Sequence, residues 1–390
     1  MFPDLRHFKR GVLALLLLAA APAQVSGQEL KLTPSIAAKE EYNDNIFLAT
    51  GNGVDDFITT LTPALELSST TERRNASLSG GVNWLKYARH TGSDAVDYFV
   101  NGTGGYLITE RLAVSAGASY RQNSRPDQLD SDTGLSINSE SKVQGYQAGG
   151  SYAVTEKSRL SLSYGYNRQD YDRSGLVGSR QHQASAGVSH ALTPQASLEE
   201  AFSFNRQLTD VSQVDNYSAT LGLAYRFREL WSLSLRGGGR YTRSGLETGG
   251  AGSSSNGEGG WVGSLSFNYI GEQLNGAVSF NRDVSLSAGR TGSTERTGGS
   301  VRLGNRFTED LSGAVDFGYS WNKSNRDQFS VLPIDEKTME LDCMLHYDIN
   351  KDLAIEANYH HVDIDYGQFR THANQNIFML RLVMRHDFFL

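Results

Sequence analysis

The sequence predicts an all-β fold, a transmembrane antiparallel β-barrel of about 18 strands with short periplasmic turns and longer extracellular loops. Three observations lead there. Apolar and polar residues alternate in strand after strand, a turn-and-strand unit recurs about every 40 residues, and the apolar face sorts its aromatic side chains into two levels.

The elements follow in chain order. Arg6, Lys9 and Arg10 precede the apolar run VLALLLLAAA, and small residues follow in APA and VSG. This is the pattern of a secretory signal peptide over residues 1–27, with cleavage after Ala23 or Gly27 and a barrel domain over residues 28–390. The run is too short to span a bilayer as a helix. Cys343 is the only cysteine, so no internal disulfide is available and no lipoprotein cysteine follows the leader. The 390 residues include 41 glycines and 7 prolines, and 38% are hydrophobic. No charge run or Pro-rich linker divides them. The net charge of -7, with both signs mixed, disfavours nucleic acid.

A first strand is expected over Lys31–Tyr42 and a last over Asn376–Phe388. Between them a polar turn and an alternating strand recur in TERRNASLSGGVNW, ITERLAVSAGASYRQN, TEKSRLSLSYGYN, TPQASLEEAFSFN and RELWSLSLRGGGRY. The series continues in GEQLNGAVSFN, TEDLSGAVDFGYSWN and NKDLAIEANYH. In ITERLAVSAGASYRQN, for example, Leu112, Val114, Ala116, Ala118 and Tyr120 share one face, with small or polar residues on the other. The longer connections, at 123–140 and 243–260, are rich in Gly, Ser, Asn and Asp. A propeller of similar repeat length would need four strands per repeat, and only two fit.

The aromatic levels identify what covers the apolar face. Tyr106, Tyr152, Phe227, Tyr269, Phe307 and Tyr347 come just before short turns. Tyr120, Tyr166, Phe204, Tyr241, Phe280, Tyr319 and Tyr359 come some residues after them. The two rings lie roughly 20 Å apart for tilted strands, close to the apolar band between aromatic girdles. Lipid is the apolar partner. The opposite face then lines a watery lumen, and its candidate pore-lining residues are Arg236, Arg240, Arg302, Arg306, Asp316, Glu340, Asp342, His346, Glu356, Arg381 and Arg385. A barrel this wide holds a channel rather than a packed core.

Sites of chemistry are not expected. His360 and His361 point to opposite faces of a strand, and a pair of His346 with His360 is a weak metal signal. The outward His190, His361 and His386 have no serine at a telling offset, so neither catalysis, metal nor cofactor is expected. The C-terminal LRLVMRHDFFL alternates and ends near aromatics, resembling the signal by which the barrel assembly machinery recognises its clients; Leu390 stands where that signal most often has Phe.

The most distinctive segment is EEYNDNIFLATGNGVDDFITTLTPALEL, residues 40–67. Glu40, Glu41, Asn43, Asp44, Asn45, Asp55 and Asp56 lack calcium-loop spacing, so a polar first surface loop is expected. EEYNDNIFL followed by DDFITTLTP resembles the opening of the putative beta-barrel porin 2 family, and the pattern extends over essentially the whole mature chain. The resemblance implies an outer-membrane barrel accompanying exopolysaccharide synthesis and export, with polysaccharide and periplasmic export components as partners. Two functions follow as expectations: a water-filled pore for polysaccharide or small hydrophilic solutes, or a non-conducting adhesive protein acting through loops 123–140 and 243–260.

Overall fold

The computed structural model describes residues 29–130, 134–137, 139–210, 212–247, 253–286, 289, 292–325 and 333–389, so the leader lies outside the described residues. The strands are β1 Glu29–Asn43, β2 Asp56–Thr70, β3 Arg74–Tyr87, β4 Ala95–Thr109, β5 Leu112–Asn123 and β6 Ser141–Ala153. Then come β7 Ser158–Tyr171, β8 Ser179–Ala191, β9 Ala196–Leu208, β10 Ser212–Phe227, β11 Trp231–Glu247 and β12 Ser253–Ile270. The last are β13 Leu274–Leu286, β14 Ser293–Arg306, β15 Leu311–Ser324, β16 Ile334–Asn350, β17 Leu353–Tyr366 and β18 Thr371–Arg385. Each pairs antiparallel with the next, and β18 closes on β1 from Ser35↔Arg385 to Asn43↔Ile377. A two-residue β19, Phe388–Phe389, continues the path of β18 against Lys31 and Leu32. The wall is therefore a closed barrel of eighteen strands, as expected.

Among the described residues, six of the eight short turns share a physical device. Thr71, Thr109, Thr155, Thr193 and Thr308 each accept, on Oγ1, the backbone N–H three residues ahead at 3.0 Å. The T-E/P-x-x signature of the repeats is this hydroxyl-closed turn. Asn350 does the same through Oδ1 to the Leu353 amide at 3.1 Å.

The outward face carries the exposed large hydrophobics, Leu162, Phe202, Leu221, Leu235, Leu303, Leu380 and Leu382 among them. The upper aromatic level is continuous across Tyr359, Phe378, Tyr42 and Phe57, with centroid separations of 4.9 Å for Tyr359–Phe378 and 5.1 Å for Tyr42–Phe57. The lower level includes Trp231 against Tyr269 at 4.4 Å. Two carboxylates interrupt the apolar face, Glu40 beside Leu380 and Thr59, and Glu200 between Val188 and Leu221.

Two expectations need correction. The stretch 243–260 is not a long loop: β11 runs to Glu247 and β12 starts at Ser253, so the hairpin stands well above its neighbours. The inward face is also not hydrophilic throughout. At the extracellular end it becomes apolar, because loops fold over it and remove it from water.

Candidate functional site: the lumen and its plug

Side chains contacted from across the barrel identify the inward face. Loop 124–140, between β5 and β6, reaches β1, β15, β16, β17 and β18 through the interior. Arg125 donates to both carboxylate oxygens of Glu41, at 3.0 and 2.5 Å. It also donates to Asp127 at 3.0 and 2.8 Å. The Ser136 amide donates to Glu336 at 3.1 Å, Thr338 donates to the Gly134 carbonyl at 2.9 Å, and Tyr366 donates to Ser136 at 2.8 Å. Within the loop, the Gln128 amide nitrogen donates to the carbonyls of Asn123, Arg125 and Ser139 at 2.8, 2.6 and 2.8 Å. The two N–H groups of one buried amide are thus shared among three backbone carbonyls that have left water.

The segment EEYNDNIFL organises the other half of the plug. Asn45 Nδ2 donates to the Asn374 and Ala49 carbonyls at 2.8 and 3.1 Å, while its Oδ1 accepts from the Ala49 amide at 2.9 Å. Asn43 donates to Asp127 at 2.8 Å. Gln375 donates to Asn43, to the Asn45 carbonyl and to Asp127 at 3.1, 2.7 and 2.9 Å. These carboxylate and amide oxygens therefore face N–H donors of the same knot. The first loop is not a polar surface loop. It turns Ile46 and Leu48 inward, to 0% and 1% exposure. Ile46 packs on Ile58, Leu85 and Tyr87, and Leu48 on Val362, Ile364, Tyr366 and Leu129. A third cluster joins Leu135 and Ile137 to Ile334, Tyr171 and Leu176. From the far side, the β13–β14 tip reaches in, and the Val177 amide donates to the Gly289 carbonyl at 2.9 Å.

Electrostatics reinforce the latch. Burial alone would lower the pKa of Arg125, but the carboxylates of Asp127 and Glu41 hold it well above its ordinary value. The guanidinium stays charged at any physiological pH.

The register places Arg236, Arg240, Arg302, Arg306, Asp316, Glu340, Asp342, His346, Glu356, Arg381 and Arg385 on the inward face. Several are brought together as ion pairs: Arg302 with Asp316, Arg236 with Glu199 at 2.6 Å, and Arg381 with Glu356 at 3.1 Å. His346 lies 3.4 Å from Glu356, and His360 lies 2.8 Å from Asp342. His346 also lies 3.2 Å from Asp348, and among the described residues no carboxylate bonds both histidines. Arg240 differs from the rest, because its side chain is 1% exposed and bonded to Glu295 on β14. Rows of hydroxyls complete the wall, with Ser163–Ser185, Ser203–Ser218 and Ser279–Ser300 at 2.6, 2.6 and 2.8 Å.

Sequence reasoning missed Arg125, Asp127, Glu336 and Gln375, whose partners lie up to hundreds of residues away. It also missed a serine: Ser158 shares a 2.9 Å hydrogen bond with His190 across β7 and β8 on the outward face. Nucleophilic catalysis further requires a group orienting the imidazole and donors for an oxyanion. Among the described residues His190 hydrogen-bonds to Ser158 alone.

Comparison with solved structures finds outer-membrane proteins at low identity. The crystal structure of Acinetobacter baumannii OccAB4 is 11% identical, with 94% of this chain and 100% of that chain covered and a TM-score of 0.49. Pseudomonas aeruginosa OpdK with vanillate is 11% identical, with 92% and 99% coverage and a TM-score of 0.47. Pseudomonas aeruginosa OpdO is 14% identical, with 98% of that chain and 94% of this one covered, and a TM-score of 0.45. No curated protein matches the chain. A family model described as "Putative beta-barrel porin 2" matches residues 30–178, a narrower extent than the whole mature chain. That stretch contains β1–β7, EEYNDNIFL and loop 124–140, so the resemblance to this family is shown over residues 30–178, the head of the eighteen-strand barrel.

Proposed function

We propose that the protein is a plugged water-filled pore of the outer membrane, passing hydrophilic solutes without catalysis. The observation that carries this reading is an inward wall of serine pairs and cross-strand ion pairs, over which loops 44–55 and 124–140 fold at the mouth. Polar groups on a lumen wall exchange hydrogen bonds with passing solutes at small net cost. The finer reading is export of an exopolysaccharide, whose hydroxyls match the serine rows, with periplasmic export components supplying the chain and moving the plug. Outer-membrane lipid covers the outward face, and the barrel assembly machinery inserts the mature chain.

Step currents from refolded protein in planar bilayers test the pore. The wild type is expected to show small or rare openings, and Arg125→Ala larger or longer ones. Absence of current from both rejects it. The described residues of loop 124–140 lie in the mouth, so the adhesive reading is left with the projecting β11–β12 hairpin as its surface.

A further inference from the structure

The β12–β13 seam is the longest interruption of the wall among the described residues. Its ladder runs only from Gly263↔Arg282 to Ile270↔Asn275, although β12 continues upward to Ser253 and β13 to Leu286. Above Gly263, β12 pairs with β11 alone, whereas β13 stays with β14 to Leu286↔Ser293. The β13–β14 tip has left the wall for the interior: Ser293 hydrogen-bonds to Gln207 of β9, and the Val177 amide donates to Gly289. What remains across the seam is side chain. Arg240 passes over Gly260, where an added Cβ would meet its guanidinium, and donates to Glu295 at 2.5 Å. Arg282 bonds the other oxygen of Glu295 at 2.8 Å and lies 4.7 Å from the ring centre of Trp261.

The break begins just above the level of Phe280, the aromatic that marks the upper girdle on β13, so it faces the head-group layer of the outer leaflet. Two arginines suit an anionic head group, and the half-exposed Trp261 suits the chain adjoining it at a membrane interface. We propose that this seam is a lateral portal through which an anionic amphiphile moves between the lumen and the outer leaflet. Parting it breaks the Arg240–Glu295–Arg282 bridge and no ladder hydrogen bonds, whereas axial exit must displace both buried loops. The proposal rests on the lumen being a solvated pore.

A lipid-tethered maleimide, carried on phosphatidylethanolamine in nanodiscs, tests it with the full mature barrel in a Cys343→Ser background. Ser264→Cys sits inside the wall just below the split, and Ser203→Cys lies on an inward face away from any split. The tethered reagent is expected to label Ser264→Cys and spare Ser203→Cys. Adding Arg240→Ala should raise that labelling about ten-fold, the factor expected of losing a charge-assisted pair. A water-soluble maleimide should label both sites. If the soluble reagent labels both while the tethered one labels neither, with or without Arg240→Ala, the portal is overturned and the pore stands. If the tethered reagent alone reaches Ser264→Cys, the seam opens to the leaflet but onto no solvated lumen, and the pore falls together with the portal that rests on it; if neither reagent reacts, both fall as well.

Discussion

Arg125 ties loop 124–140 to β1 at one guanidinium, and Glu41 beside it is only 2% exposed. Removing one partner of a buried ion pair typically costs about 3–5 kcal/mol, because the other charge is left without compensation. Lys39 remains 2.7 Å from Glu41, so Arg125→Ala should fall at the low end of that range. The expected outcome is a plug that undocks: faster protease cleavage within 124–140 on a barrel that still resists heat in gel-shift assays. An unchanged cleavage rate would show that Gln375 and the hydrophobic clusters hold the loop without the arginine. At the β3 end, the Lys86 ammonium and the Tyr87 amide hold the Asp94 carboxyl below the ordinary carboxylate range. A pKa lowered by folding means stability present above the unfolded value and lost as pH falls through the folded one. The Tyr87 amide, bonded to Asp94 at 2.9 Å, should therefore keep its exchange protection through neutral and mildly acid pH and lose it only in stronger acid. Asp94→Asn should remove that pH dependence.

The threonine turns were legible in the sequence as repeated TE and TP pairs, and the structure supplies the reason in the hydroxyl that closes each one. Replacing Thr155 by Val deletes the acceptor for the Ser158 amide at nearly constant volume. It should cost about 0.5–1.5 kcal/mol, read as a lower unfolding midpoint in urea. Strand positions, the two aromatic levels and lumen-facing charges were equally legible, because a period of two is imposed by the pleat itself. The plug was not. Loop 124–140 is rich in Asp, Ser and Asn, which reads as solvated loop until Glu336, Thr338 and Gln375 satisfy it from the opposite wall. A signal did exist. In NWLKY the apolar phase moves from Trp84 outside to Leu85 and Tyr87 inside, and in YHHVDIDY from Tyr359 to Val362, Ile364 and Tyr366. A phase change at the loop end of a barrel strand marks where the interior is covered.

At the scale of the molecule, the outward face must match hydrocarbon around the whole circumference. Glu200, exposed between Val188 and Leu221, breaks that match below the upper aromatic level. Glu200→Leu should raise resistance to unfolding, whereas Leu221→Arg should lower it by about 2–4 kcal/mol if it lies near the bilayer midplane. Equilibrium unfolding from phospholipid vesicles measures both, and equal shifts of the same sign would place this patch outside the hydrocarbon. The knot of Asn43, Asp127 and Gln375 also has a temporal meaning. Two of its members are made early and the third only with the final strand, so the knot itself closes only when the wall is complete. A chain halted before residue 371 would keep Arg125 on Glu41 yet lack the one amide that joins Asn43, Asn45 and Asp127, so the stopper receives its last tie from the same strand that shuts the cylinder.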